Sequence, residues 1–361
     1  MYEQGMTQKE TIYLIKAILK TGNILSLNKK LIVDKHCIGG IPGNRTTPLV
    51  VSICAAAGLI FPKNSSRAIT SAAGTADVIE TIAKVDFTIE EIKKIVKKTG
   101  ACMVWGGALG LVPADSKIIQ IEKALKLDPE AQLLASIISK KLAVGSNYIL
   151  IDIPYGKTAK VNKLKALRLK RKFESLGRYF HKRIKVILTN GSKPIGRGIG
   201  PNLEMTDVIN ILDQKKTGPL DLQEKSIFLS GEILEMVGKA KKGEGQKMAR
   251  EILVSGQAFK KFKQIIKAQQ GKIVNLPKAK FKKEILARRN LRVLSMDNKK
   301  INELARIAGC PKDHAAGLYL NAKPGEKVEK GKPLITIYAE SKSRLNQAII
   351  YYKNQKPIRI R

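Results

Sequence analysis

Apolar and polar positions along this chain fall into two alternating textures, one with helical spacing and one with short extended runs. In Thr7–Thr21 the residues Ile12, Leu14, Ile15, Ile18 and Leu19 mark one helical face, and Thr7 with Glu10 forms the capping-box pattern at its start. Leu31–Val33 reads as a short strand running into a polar loop, Asp34–Thr47. A helix over Pro48–Gly58 follows, with Pro in its first turn and Gly near its end. The order then repeats: a loop, Ser65–Thr75, precedes a helix over Ala76–Ala83. Thr88–Thr99 and Glu130–Leu142 predict helices, and Cys102–Trp105, Tyr148–Ile153 and Lys185–Thr189 predict strands. Asn190–Pro201 is a third glycine-rich loop after a strand. Such alternation argues for an α/β sheet that binds ligands beyond the carboxyl ends of its strands.

After about Gly271 the texture changes to short segments, Leu291–Met296, Gly317–Leu320 and Leu334–Tyr338. The run Asn321–Glu340 alternates turns with strand residues. Its Gly325–Leu334 turn resembles that of barrel-sandwich modules, which implies a small β-rich C-terminal domain.

Composition narrows the classes. With 361 residues, 43% of them apolar, the chain can bury the cores of two or three domains, and the balance is that of a soluble globular protein. The longest near-apolar run, Leu49–Phe61, is shorter than the roughly 20 residues a bilayer span needs, so it reads as a buried helix. The start, Met1–Met6, has no basic-then-apolar leader pattern, and a cytoplasmic location is expected. Cys37, Cys54, Cys102 and Cys310 form no Cys-x-x-Cys pair, and His36, His181 and His314 show no metal-ligand spacing. Neither a disulfide framework nor a metal hydrolase is expected.

Charge is the unusual feature: 67 Lys and Arg stand against 30 Asp and Glu, a net +37. Such a field attracts polyanions. The densest stretch, Lys157–Lys185, holds twelve basic residues and only Glu174 as an acid. Its Leu164, Leu167, Phe173, Leu176 and Phe180 fall near helical spacing, so an amphipathic helix with a solvated basic face explains it. Basic residues are otherwise spread over most segments without interleaved aromatics, and neither a membrane partner nor a specific nucleic-acid surface is expected.

The candidate chemistry lies in two loops. In Asp34–Thr47, Gly39, Gly40 and Gly43 let the backbone approach an anion, Lys35 adds charge, Thr46 and Thr47 add hydroxyls, and a helix N-terminus follows. No Gly-Lys-Ser/Thr closes it, so it is not a Walker A loop. Alone it could be an ordinary tight connection. Ser65–Thr75 then offers five hydroxyls and Arg67 within eleven residues, again before a helix. Two donor-rich loops at strand ends point to a bound phosphate or phosphorylated ligand.

The motif DKHCIGGIPGNRTT resembles the first phosphate loop of the thymidine and pyrimidine-nucleoside phosphorylase family, and SSRAITSAAGTAD its second. The likeness is to the archaeal-type branch, which includes AMP phosphorylase, and extends through Pro113–Lys117, Leu127–Ser136, Lys140-Lys141 and Tyr155–Lys160. It covers essentially the whole chain. It implies a small helical subdomain (1–30 and 113–143, its N-terminal part missing), a large mixed α/β-sheet domain (31–112 and 144–280) and a C-terminal barrel-sandwich-like domain (281–361). It further implies phosphate held by Lys35, Cys37, Thr47, Ser65 and Thr75. Gly40, Ser66, Arg67, Ala68, Ile69, Thr70, Ser71, Ser136, Lys140 and Lys160 would line the nucleoside site, with His36 and Asp128 as catalytic residues and Asp128 the proton donor.

The implied reaction is attack of phosphate on C1′ with inversion, releasing a free base; no metal or cofactor is called for. Thymidine phosphorolysis to thymine and 2-deoxy-α-D-ribose 1-phosphate is the first expectation, by a homodimer joined through the helical subdomain. AMP phosphorolysis is the alternative. Two departures bear on this choice. Cys37 stands where the family has serine, and a thiol is a weaker donor. The arginine expected to contact a pyrimidine is Gln120 in KIIQIEKALKLD. Phosphoribosyl transfer of the anthranilate type, which would need an acidic magnesium pair, and a basic or decayed binding protein complete the alternatives.

Overall fold

Strands and helices alternate through the first two hundred residues of the computed structural model, which describes residues 4–27, 31–68, 71–107, 110–125, 127 and 129–361. Helix α1 (Gln8–Lys20) starts at Thr7, whose backbone N–H donates to Glu10 Oε2 at 2.7 Å while Glu10 N–H returns to Thr7 Oγ1 at 3.2 Å. There follow β1 (Val33–Cys37), α2 (Thr46–Ala56), β2 (Phe61–Ser65), α3 (Thr75–Glu80), α4 (Ile89–Thr99), β3 (Ala101–Trp105), α5 (Pro113–Leu125), α6 (Glu130–Ala143), β4 (Tyr148–Tyr155), α7 (Lys163–Tyr179), β5 (Arg183–Asn190) and β6 (Gly198–Ile199). A helical run comes next: α8 (Pro201–Leu212), α9 (Leu220–Met236), α10 (Gly245–Val254) and α11 (Gln257–Ala268). The C-terminal part holds β7 (Phe281–Leu286), β8 (Leu291–Met296), α12 (Asn298–Ala308), β9 (Gly317–Leu320), β10 (Lys327–Val328), β11 (Pro333–Ala339), α13 (Lys342–Gln355) and β12 (Ile358–Ile360).

Strands β1, β4 and β5 form a parallel sheet with β4 in the centre, and β2 and β3 form a parallel pair. A bridge between Ile32 and Ile60 sets β1 beside β2. Helix α2 is buried along almost its whole length, from Thr46 to Ala55, and packs against α9 and α11. An all-round apolar helix belongs in an interior. That explains the Leu49–Phe61 run: the helix, a turn at Gly58 (φ +83°), then β2.

The C-terminal strands correct the expected fold. They make two small open antiparallel sheets, ordered β6-β9-β11-β7 and β10-β8-β12. Neither closes into a barrel, and the α/β part has small parallel sheets where one large mixed sheet was expected. The physical reason is interruption: α12 and α13 break the C-terminal strand run, and the edge of one sheet is taken by β6 from the α/β part. This last contact also fixes the third glycine-rich loop, whose Arg197 and Gly198 N–H groups donate to Asp207 at 2.7 and 2.8 Å.

Two smaller corrections follow. Asp34–Cys37 is strand, in register with Ile149–Asp152 of β4, so the first loop begins only at Ile38. In α7 the buried face is Ala166, Leu169, Phe173 and Leu176, whereas Leu164 is 79% exposed.

Candidate functional site

The carboxyl ends of β1 and β2, the start of α2 and one face of α6 surround a cleft of about 230 Å³. It is lined by Lys35, His36, Cys37, Gly40 and Thr47 from the first motif and by Ser65, Ser66, Arg67, Ser71 and Thr75 from the second. Ser136, Lys140 and Lys160 close it from the other side. Ala68 is buried beside the cleft, its N–H given to Asp77 Oδ2 at 2.8 Å. Ile69, Thr70 and Asp128 lie outside the described residues.

The first loop approaches its neighbours closely. At Gly40 (φ +88°) a Cβ would stand 2.7 Å from Lys160 Cβ and 2.9 Å from its backbone N; at Gly43 (φ +69°) it would meet Ile195 O at 2.2 Å. Only glycine fits both the space and the left-handed backbone. Arg45 then ties the two loops together. It pairs with Glu204 at 2.7 Å, donates to Ala73 O at 2.8 Å and donates to Thr75 Oγ1 at 2.9 Å. Because arginine only donates, the Thr75 oxygen is occupied as an acceptor and its proton is left for another acceptor. Asp77 steadies the second loop by accepting from the Ala68 and Gly74 N–H groups, and Ala72 N–H reaches Asn302 of α12 at 3.2 Å.

Lys35 is completely buried, and its ammonium donates to Thr46 Oγ1 at 2.6 Å and, weakly, to Thr47 Oγ1 at 3.4 Å. The same argument turns those hydroxyl protons away from the lysine. Burial lowers Lys35 to about 8, while neighbouring Cys37 and Asp152 pull the other way. His36 is held well below the usual imidazole range by burial and by the lysines at 141, 63, 140 and 35, so it stands neutral at pH 7. Burial, followed by Asp152, raises Cys37, leaving a thiol whose sulfur takes an N–H from Asn44 at 3.3 Å.

At the far side, Lys140 pairs with buried Asp115 and donates to Ser136 Oγ at 2.6 Å, and Asp115 also accepts from Gln132 at 3.0 Å. A lysine and a serine are thus presented as one unit. Arg67 lies at the cleft edge but spends its guanidinium elsewhere. It forms a two-pronged pair with Glu80, contacts Asp77 at 3.4 Å and sits 4.8 Å over the Trp105 ring. Gln120 is exposed and outside the cleft; from α5 the lining comes from Ile119 and Glu122. The third glycine-rich loop supplies no described lining residue.

Sequence reasoning also passed over Asn44, Arg45, Lys63 and Asn64, all of which line the cleft. Their positions next to the hydroxyl runs were the only available signal. A larger open groove, about 770 Å³ and lined by Arg292, Lys327, Lys332 and Arg361 among others, lies on the C-terminal part and holds none of the expected residues. Among the described residues there is no cluster of three or more His, Cys, Asp or Glu able to hold a metal, and no helix long and apolar enough to cross a membrane.

Comparison with known proteins gives consistent relatives. Residues 29–259 match the glycosyl transferase family a/b domain, and residues 292–359 match the pyrimidine nucleoside phosphorylase C-terminal domain. An AMP phosphorylase of Pyrococcus horikoshii is 50% identical over 349 residues, covering 95% of this chain and 69% of that one. A Legionella pneumophila protein provisionally named thymidine phosphorylase is 46% identical over 354 residues, covering 98% and 68%. Among solved structures, anthranilate phosphoribosyltransferase from Thermus thermophilus superposes with a TM-score of 0.61 over 74% of this chain and 87% of that one, at 17% identity, a likeness of fold alone.

Proposed function

The chain belongs to the glycosyl transferase family defined by this a/b domain, and from that premise we propose that it is a phosphorylase of nucleoside 5′-monophosphates, with AMP-type substrates ahead of thymidine. The observation that carries the reading is the convergence of two donor-rich loops on one cleft. Buried Lys35 and the Thr47 and Thr75 hydroxyls form one pole, and the paired Ser136 and Lys140 form the other. Phosphate at the first pole would attack C1′ of the sugar; the bond from C1′ to the base nitrogen breaks, and its electrons leave with the base. The products are the free base and ribose 1,5-bisphosphate. Held between fixed groups, the two reactants lose little further freedom on the way to the transition state.

Support for a nucleotide over a nucleoside comes from two sides. Besides the groups at the first pole, the cleft is lined by Gly40, Ser66 and Lys160, groups suited to a second phosphate. The relatives named AMP phosphorylase share 48–50% of residues, those named for thymidine phosphorylase 44–46%. Asp128 remains the proposed proton donor to the base, and the three-part division of the chain remains a proposal with it.

The test is a panel of AMP, CMP, thymidine and uridine with and without phosphate, and with EDTA. Phosphate-dependent release of adenine that exceeds thymine release and survives EDTA is expected. Turnover of thymidine alone would overturn the nucleotide reading, and release from none of the four would overturn phosphorolysis. A sharper expectation concerns one hydroxyl. Thr75→Val keeps shape but deletes a donor to an anion, an interaction of about 1.5–3 kcal/mol. The KM for phosphate should rise roughly 10- to 100-fold, and an unchanged KM would remove Thr75 from the phosphate site.

A further inference from the structure

Around the first pole, on both faces of the β1–β4 sheet, lie buried charges that the reading above leaves unused. Asp34 on β1 accepts from Lys63 of β2 at 3.2 Å and from Lys141 of α6 at 2.9 Å. Asp152 on β4 accepts from Lys225 of α9 at 2.9 Å and from Thr189 of β5 at 2.6 Å. Lys35 has hydroxyl partners and no carboxylate of its own. Each of these lysines and carboxylates is at least nine-tenths buried. Counted over both faces, four lysines accompany two carboxylates. The adjoining Lys140 and Arg45 are matched by Asp115 and Glu204, and His36 and Cys37 contribute no charge. With all four lysines protonated two positive charges are in excess, in a place where unpaired charge is strongly disfavoured, and burial accordingly holds Lys35 and Lys141 below the usual lysine range.

Of these four lysines, Lys35 and Lys63 line the cleft. Lys63 shares its carboxylate with Lys141, so an arriving anion can take up its charge without leaving Asp34 unpaired. We propose that Lys63 is a second cationic ligand of the attacking phosphate and that the excess of two buried charges sets the site for a dianion. The phosphorolytic reading supplies only the identity of that anion. The charge balance stands independently of it.

Two opposed effects follow for Lys63→Met. Without ligand the variant keeps a neutral Asp34–Lys141 pair, so it should melt at or above the temperature of the wild type. A merely structural ion pair would instead lower it. With inorganic phosphate the stabilisation seen for the wild type should shrink, and calorimetric affinity should fall at least tenfold. Lys63→Gln, which keeps a donor but no charge, should behave the same way. In turnover the KM for phosphate should rise at least tenfold while the KM for AMP stays within about twofold.

The idea is overturned if either variant binds inorganic phosphate as the wild type does, or if the KM for AMP rises and that for phosphate does not. The second result would assign Lys63 to the 5′-phosphate of the nucleotide. A wild type that binds phosphate through Lys63 but cleaves no substrate would sink the proposed function and leave this inference standing. One that turns over AMP with no dependence on Lys63 would do the reverse.

Discussion

Lys35→Met should lower kcat/KM for phosphate by about three orders of magnitude while leaving the protein folded. Removing one preorganised donor from an anion site in a water-poor environment costs about 10²- to 10³-fold, and this lysine organises two further donors. Its ammonium holds Thr46 and Thr47 so that their protons face away from it. Stability should not suffer, since the lysine is fully buried without a carboxylate of its own and a methionine of similar length fills the space. Purified variant and wild type compared by thermal melting and by phosphate-dependent base release test both halves. A variant with near-normal kcat/KM would exclude Lys35 from the reaction.

The pH dependence gives an independent check with a definite sign. Lys35 is lowered from 10.5 to about 8 by burial. Phosphate affinity, which needs the ammonium, should fall as pH rises through about 8. Stability of the ligand-free protein should move the other way. Between about 8 and 10.5 the unfolded lysine still binds its proton while the folded one has released it, so unfolding takes up a proton and stability rises with pH. Lys35→Met should remove this contribution.

Local signals made much of this architecture legible. The helices over α1 and α4 are announced by their Thr–x–x–Glu caps, and the two loops by hydroxyls and glycines that match their surroundings. What escaped reading depends on distant partners. Asp34, Lys35 and His36 look like loop residues until β4 is laid beside them in register, and Lys63 looks like a surface lysine until Asp34 is found next to it. Arg67 lines the cleft among the phosphate-loop hydroxyls, but its ion pairs with Glu80 and Asp77 of α3 could not be read from the loop itself. Closure of a sheet is likewise global. The Gly325–Leu334 segment leads from β10 in one sheet to β11 in the other and carries no information on whether β7 and β6 meet.

Asp34→Asn should be the most destabilising single substitution around the cleft, costing about 3–5 kcal/mol in denaturant unfolding at pH 7. The carboxylate is fully buried and is the shared anion for Lys63 and Lys141. An asparagine keeps the volume but offers one acceptor oxygen, and its amide group would point a donor at an ammonium. Two buried charges would then have no counter-charge. The protein has one relief available, which is to release a proton. Burial already holds Lys141 well below the usual lysine range, with Asp34 opposing that shift, so loss of the carboxylate must lower it further. A lysine deprotonated in the fold and protonated when unfolded makes stability increase with pH. The deficit of Asp34→Asn should therefore shrink at pH 9 compared with pH 7, a change opposite to that of a simple packing defect, whose cost is insensitive to pH. Equal urea midpoints for variant and wild type at pH 7 would show that the shared carboxylate does not hold the lysines in place.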